Sequence, residues 1–254
     1  MANKITDPVF KDNKLYGQSY KKLKQKHKIS KTLFTDEMFP PNNYSLSYKG
    51  YLDGIDMDNV VWVRARDMTN GAKFISNGTC CDDVNQGYLG DCWFLAALAS
   101  LAEQPQLFRK VVPKRGQSFK SRSYHGIFHF KFYKWGSWID VVVDDFIPTY
   151  NGRPLFTYSD DQGEAWPSLV EKAYAKLHGS YDHLTGGLCI TSVENLSGGI
   201  SERFIGPNGP LMSLQGTPID LFQEMKEVLK QGSIVCTGTE METSFLRGFI
   251  IEGV

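Results

Sequence analysis

The stretch from Gln86 to Ala102 leaves this chain little conformational choice. It is a glycine-punctuated turn, one cysteine, and then an apolar run with no charge and no helix breaker. Cys92-Trp93-Phe94-Leu95-Ala96-Ala97-Leu98-Ala99-Ser100-Leu101-Ala102 holds only strong or acceptable helix formers until Pro105 halts it, and Asp91 stands where a helix takes its N-cap. Such a helix is apolar on every face, so it is expected to run through a core. Cys92 falls on its first position. A thiol there meets the positive end of the helix dipole and unpaired backbone N–H groups, which favour the thiolate. Gln86, six residues upstream, is placed to turn its amide N–H toward the same point and hold a developing oxyanion. The ordinary fate of a lone cysteine is a buried structural role. Here Gln86, two glycines, Asp91 and Trp93 all agree around one thiol, and the nucleophile is the better reading.

Gly90-Asp91-Cys92-Trp93 repeats the papain-type pattern, a Gly two before and an aromatic just after the nucleophilic Cys. Further segments extend the match: Leu33-Phe34-Thr35-Asp36-Glu37-Met38-Phe39-Pro40, Gly126-Ile127-Phe128-His129-Phe130 and Trp138-Ile139-Asp140-Val141-Val142-Val143-Asp144-Asp145. So do Glu164-Ala165-Trp166, Val170-Glu171-Lys172-Ala173-Tyr174-Ala175-Lys176, Gly198-Gly199 and the stretch around Leu221 to Leu229. With these residues the chain resembles the calpains, the calcium-dependent branch of the papain-like cysteine proteases.

That resemblance implies an α+β, papain-like fold whose active site is a cleft between a mostly helical nucleophile domain and a β-rich second domain. On this numbering, residues 1–32 are a tail and basic helix, 33–187 the first domain, and 188–254 a truncated start of the second. It makes Cys92 the nucleophile and Gln86 the oxyanion donor of a calcium-dependent endopeptidase acting in intracellular limited proteolysis. It also implies one Ca²⁺ in the first domain, held by backbone carbonyls at Ser76 and Gly78 and by the carboxylates of Asp83 and Glu164. The implied partners are protein or peptide substrates and a regulatory subunit or inhibitor protein. The family keeps its catalytic His after a Lys-Gly or similar pair and an Asn further on. Here Arg247-Gly248 is followed by Phe249, with no Asn-Pro-Trp segment after it. Cys81 stands where the family often has an Arg. The expectation is a nucleophile half without its base, inactive alone. The alternative is an inert calpain-like fragment that acts by binding.

None of the five histidines reads as a substitute base. His27 lies in a basic amphipathic stretch, and His125 and His129 share one face of an alternating strand. His178 and His183 flank Gly179-Ser180-Tyr181, where the family does not keep histidine. Lys plus Arg equals Asp plus Glu at 28 each, which argues against a nucleic-acid partner. No apolar run is long enough to span a membrane, and Met1 to Lys31 is too polar and lysine-rich for a signal peptide. Membrane association through the basic stretch is weak at most, and a solvated helix is the better reading. Five cysteines, Cys80, Cys81, Cys92, Cys189 and Cys236, lack framework spacing and fit free thiols in the cytoplasm. Cys80-Cys81 are adjacent rather than spaced for zinc, and no stretch fits an EF-hand loop.

Along the chain, residues 1–17 read as a flexible tail and Gln18 to Ser30 as a helix with Tyr20, Leu23 and Ile29 on one side. Val60 to Val63 is extended. Gly126 to Lys134 and Trp138 to Val143 form a hairpin about Trp135-Gly136-Ser137. Pro167 to Leu177 is a helix with Glu171, Lys172 and Lys176 outward. Gly186-Gly187 is the expected interdomain hinge, Thr217-Pro218 caps a helix over Ile219 to Lys230, and Ile234 to Thr237 is a strand. Phe249-Ile250-Ile251 is expected to leave an apolar sheet edge exposed.

Overall fold

The computed structural model describes residues 9–113, 116–120, 124–161, 163–206, 220–239 and 247–253. Two short strands, β1 (Phe10–Lys11) and β2 (Lys14–Leu15), precede helix α1 (Tyr20–Ser30) and the single turn α2 (Asn43–Leu46). Strand β3 (Val61–Arg64) leads through a long loop to α3 (Cys92–Ala102) and α4 (Pro105–Val111). Strands β4 (Ile127–Lys134), β5 (Ser137–Asp144), β6 (Phe146–Tyr150) and β7 (Arg153–Pro154) come next, then helices α5 (Trp166–His178) and α6 (Cys189–Ser197). The remaining elements are β8 (Ile200–Gly206), α7 (Leu221–Lys230), β9 (Val235–Thr239) and β10 (Arg247–Gly253).

Helix α3 is the centre of the core. Phe94, Ala97, Leu98 and Leu101 have no exposed surface, and the Phe94 ring stacks on Tyr174 of α5 with centroids 4.1 Å apart. Each large apolar side chain buried in this way contributes about 1.5–3 kcal/mol. The helix is not buried on every face, however, because Cys92 and Ala96 are exposed. Pro105 does stop α3, and it also opens α4, since a first-turn residue needs no N–H.

The expected hairpin is β4 and β5, in register from Ile127 opposite Asp144 to Lys134 opposite Ser137. Its two-residue loop, Trp135-Gly136, has φ of 51° and 76°, the paired left-handed conformation that matches strand twist. This hairpin belongs to a four-stranded sheet ordered β1-β2-β5-β4, and a second sheet is ordered β3-β6-β7. Residues 33–187, expected to be mostly helical, thus mix helix and sheet.

Four more expectations need correction. Residues 10–15 are structured: Lys14 pairs in parallel with Asp140 of β5, and Leu15 is fully buried. On α1, Tyr20 and Leu23 pack against Phe34, Ile127 and Val142, but Ile29 is 74% exposed. On α5, Glu171, Lys172 and Lys176 are all buried, because each finds a partner inside: Thr157 for Glu171, Asp144 for Lys172 and Asp36 for Lys176. Finally β10 is the central strand of a third sheet, ordered β8-β10-β9, with Phe249 opposite Phe204 on one side and Thr237 on the other. Its backbone is paired along both edges, so the exposed edge expected there is absent. Helix α7 is capped by Asp220, whose side chain accepts from the Gln223 N–H at 3.2 Å. The expected cap, Thr217-Pro218, lies outside the described residues.

Candidate active site

Cys92 is exposed at the first residue of α3, and the chain around it is fixed on both sides. Upstream, Asn85 and Tyr158 exchange backbone hydrogen bonds at 3.0 and 3.1 Å, and the Tyr88 N–H donates to the Leu155 carbonyl at 2.9 Å. This zips the 85–88 loop onto the segment before α5. Gly87 sits so close that a Cβ there would lie 2.2 Å from the Phe156 carbonyl oxygen, which is why a glycine follows Gln86. The Gln86 Nε2 donates to the Leu89 carbonyl at 2.7 Å, which orients the amide and leaves its second N–H free of that bond.

Downstream, the Trp93 Nε1 donates to the Leu184 carbonyl at 2.7 Å, and the Ser192 Oγ of α6 donates to the Trp93 carbonyl at 2.7 Å. Gly187 lies flat on the Trp93 ring, where a Cβ would approach a ring carbon to 2.3 Å. The Gly186 N–H donates to the Gly90 carbonyl at 2.9 Å. The two glycines read as a hinge are therefore packed against the loop around Cys92.

Asp91 occupies the N-cap position without acting as a side-chain cap. Its carbonyl accepts from the Phe94 and Leu95 N–H groups at 2.8 and 3.1 Å, but its carboxyl turns into the protein, fully buried. There neither carboxyl oxygen has a hydrogen-bond partner among the described residues. Burial pushes this acid and Glu171 of α5 above the usual carboxylate range, and the charge of Asp91 pushes Glu171 further the same way.

No histidine hydrogen-bonds Cys92 among the described residues. The His129 Nδ1 faces Asp140 at 2.6 Å and its ring stacks on Tyr20, and the His183 ring stacks on Tyr48. His178 is held between Lys134 and the Tyr174 carbonyl, and burial pushes it down to about 4. The His27 Nδ1 bonds Thr32, and His125 offers its backbone carbonyl to Phe34.

The four residues assigned to calcium lie on two segments that the fold joins. Lys73 and Glu164 form a backbone bridge, and the Glu164 carboxylate accepts from the Ser76 N–H at 2.7 Å and from the Ser159 Oγ at 3.1 Å. Burial pushes Glu164 up, and the nearby charge of Asp83 adds to the effect. The Asp83 carboxylate accepts from the Cys80 N–H at 2.8 Å. Gly78 bends the loop between them with φ of 114°, a conformation that favours glycine. Among the described residues no cluster of three or more His, Cys, Asp or Glu could hold a metal, so a cation here would need backbone oxygens as well.

A family model described as calpain family cysteine protease matches residues 34–249. Calpain-8 of Rattus norvegicus is 40% identical over 232 residues, which is 91% of this chain and 32% of that protein. The calpain-1 catalytic subunit of Homo sapiens is 40% identical over 223 residues, covering 87% of this chain and 30% of that protein. The chain thus spans about a third of the length of the curated relatives it matches. With most of its length inside the family model, and Cys92, Gln86 and the packed loops around them inside that match, the chain belongs to the calpain family of cysteine proteases.

Proposed function

We propose that this chain provides the nucleophile side of a calcium-dependent cysteine endopeptidase, with Cys92 as the attacking sulfur and Gln86 as an oxyanion donor. The observation that carries this reading is an exposed cysteine opening an otherwise buried helix, with a positioned glutamine amide on the loop before it. In the reaction the Cys92 sulfur adds to a peptide carbonyl. The resulting oxyanion is held by the free N–H of Gln86 and by backbone N–H groups at the start of α3. Acyl transfer also needs a base for the thiol proton and an acid for the leaving amine. None of the five histidines is in hydrogen-bonding contact with Cys92, so this chain alone is deficient in that step. That same fact favours, as the second reading, a calpain-like module acting by binding.

Asp83, Glu164 and the backbone carbonyls of Ser76 and Gly78 fit calcium, because they are hard oxygen donors and two carboxylates there have no cation between them. Bound there, the ion would supply the positive charge that joins the 73–83 loop to the segment before α5. The relatives' protein substrates, and a second subunit of the kind implied by the words "catalytic subunit", are proposed as partners of this chain too. That Cys80, Cys81, Cys92 and Cys189 form no disulfide supports a reducing compartment such as the cytoplasm. No described helix is long and apolar enough to cross a membrane.

Brief alkylation with iodoacetamide, read by mass spectrometry, tests the nucleophile. Cys92 should label ahead of Cys80, Cys81 and Cys189. Burial and Asp83 push the Cys80 thiol up, and Glu103, burial and Asp82 do the same to Cys81. Cys189 is the sharper control, because it too opens a helix but is half-buried against the core. Equal labelling of Cys92 and Cys189 would remove the argument for a special thiol.

A further inference from the structure

Helix α1 concentrates positive charge without balancing it. Over Tyr20–Ser30 it carries five lysines and no acid, and Lys31 stands at its C-cap. Among the described residues none of these six lysines pairs with a carboxylate. Lys22 and Lys26, and likewise Lys24 and Lys28, are four residues apart, a spacing at which like charges on a helix repel. Lys21 and Lys22 also stand at the positive end of the helix dipole. The charge reaches neighbouring groups: His125 is pushed down by burial and by Lys24, His27 and Lys28. What holds the helix in place is its other face, where Tyr20 and Leu23 pack on Phe34, Ile127 and Val142.

Three of the lysines border a groove of about 820 Å³. Lys21, Lys24, Lys28 and Ile29 line it from α1, and Pro113 and His129 line it from elsewhere in the chain. Hydrogen bonds fix its shape. The Tyr20 hydroxyl donates to the Gly116 carbonyl at 2.8 Å, and the Lys24 ammonium donates to that carbonyl and to the Tyr20 oxygen. Gly116 has φ of 82°, and a Cβ there would lie 2.8 Å from the Lys24 nitrogen, so glycine leaves room for both donors. Lys24 keeps a third N–H beyond these two bonds. The Tyr20 ring stacks on His129 with centroids 4.0 Å apart, and the His129 Nδ1 engages Asp140 at 2.6 Å. The Asp140 charge that Tyr20 feels is thereby taken up by His129 rather than by a lysine of α1. Lys21 and Lys28 are exposed, and Ile29 beside them is 74% exposed.

We propose that this groove docks an acidic, extended segment of a partner polypeptide, with carboxylates opposite Lys21, Lys24 and Lys28 and an apolar side chain against Ile29 and Pro113. Lys21 and Lys28 are about 10 Å apart along the helix axis. In an extended chain, side chains on one face recur about every 7 Å, so two or three alternate acidic residues match that row. Docking relieves the repulsion among the lysines, which no group of the described fold does. A bilayer fits this face less well. Tyr20 and Leu23, the apolar residues that an interfacial helix would insert, are packed against the protein, and the lysines border a concave surface. The groove uses no residue assigned to the site at Cys92, and the proposal stands or falls apart from the function proposed there.

The test is a titration of two fluorescein-labelled decapeptides with the 254-residue chain, read by fluorescence anisotropy. One peptide has eight glutamates and two leucines, and the other has glutamine in place of each glutamate. The glutamate peptide should bind, and the glutamine peptide should bind at least about tenfold more weakly. Lys21→Gln combined with Lys28→Gln should weaken binding of the glutamate peptide roughly tenfold. Lys22→Gln combined with Lys26→Gln removes the same charge from the same helix outside the groove, and should change binding by less than about twofold. All four side chains are exposed, so neither variant disturbs the core. Equal loss in the two variants would overturn the groove in favour of net charge alone. Equal binding of the two peptides would overturn the role of the carboxylates. No binding of the glutamate peptide would overturn the proposal outright, and cosedimentation with phosphatidylserine vesicles would then assign the face to a membrane surface.

Discussion

The nucleophile role proposed for Cys92 asks for a thiol that is open to substrate and fixed in place, and its neighbours meet both demands. The thiol faces solvent while Asp91 and Trp93 on either side are tied into the core. The cost falls on Asp91, an acid buried where it cannot cap its own helix. Asp91 and Glu171 both have their pKa raised in the folded state, so their contribution to stability is present at low pH and lost as pH rises. For Asp91 the loss runs from the ordinary 3.8 up to about 6. Asp91→Asn should flatten that part of a denaturation profile taken against pH. Calcium belongs to this scale too. Calorimetric titration should show one weak site, and Asp83→Ala should abolish it while leaving the core untouched, since among the described residues the Asp83 carboxylate bonds Cys80 of its own loop. Two sites, or binding by the Ala variant equal to that of the parent, would refute the assignment. The Gln, Cys and Trp of this site were legible in the sequence because each occupies a fixed offset in one local turn. The burial of the Asp91 carboxyl was not, because it depends on what other elements pack over that end of α3.

Helix α5 shows how far an element can depart from its own pattern. A helical wheel puts Glu171, Lys172 and Lys176 among the polar positions, which argues for solvent, yet all three are buried. Lys176 donates to Asp36, to the Gln18 side chain and to the Val142 carbonyl, so one ammonium joins the segment before β3, helix α5 and strand β5. Lys176→Met keeps most of the volume but leaves Asp36 charged and unpaired, and should cost about 3–5 kcal/mol in chemical denaturation. Adding Asp36→Asn should recover part of that loss. A double variant no more stable than Lys176→Met would show that the lysine acts through packing alone. By contrast α3 and the β4–β5 hairpin formed where their residues predicted, since apolar continuity, a stop at Pro105 and a Trp-Gly turn are properties of adjacent residues.

Three small sheets and a buried helix place Cys92, but the chemistry proposed there requires a base, and none of the five histidines bonds its thiol. Peptide hydrolysis at saturating Ca²⁺ by the 254-residue chain should therefore be undetectable, because loss of a catalytic base lowers kcat by several orders of magnitude. Turnover that disappears in Cys92→Ala would show that a histidine does reach the thiol, and would refute this reading. The sequence alone determined what depends on neighbours along the chain: the helix that begins at Cys92, the hairpin, the strand at Val235, and the family to which those motifs belong. Only the tertiary structure decided which charges go inside and which strands pair on both sides. It brought β10 between β8 and β9, seated three ionisable residues of α5 in the core, and buried the Asp91 carboxyl instead of leaving it to cap its helix. Burial of a charge depends on a partner in space, and a strand's place in a sheet depends on chain that folds back from elsewhere. Neither is written in the residues on either side.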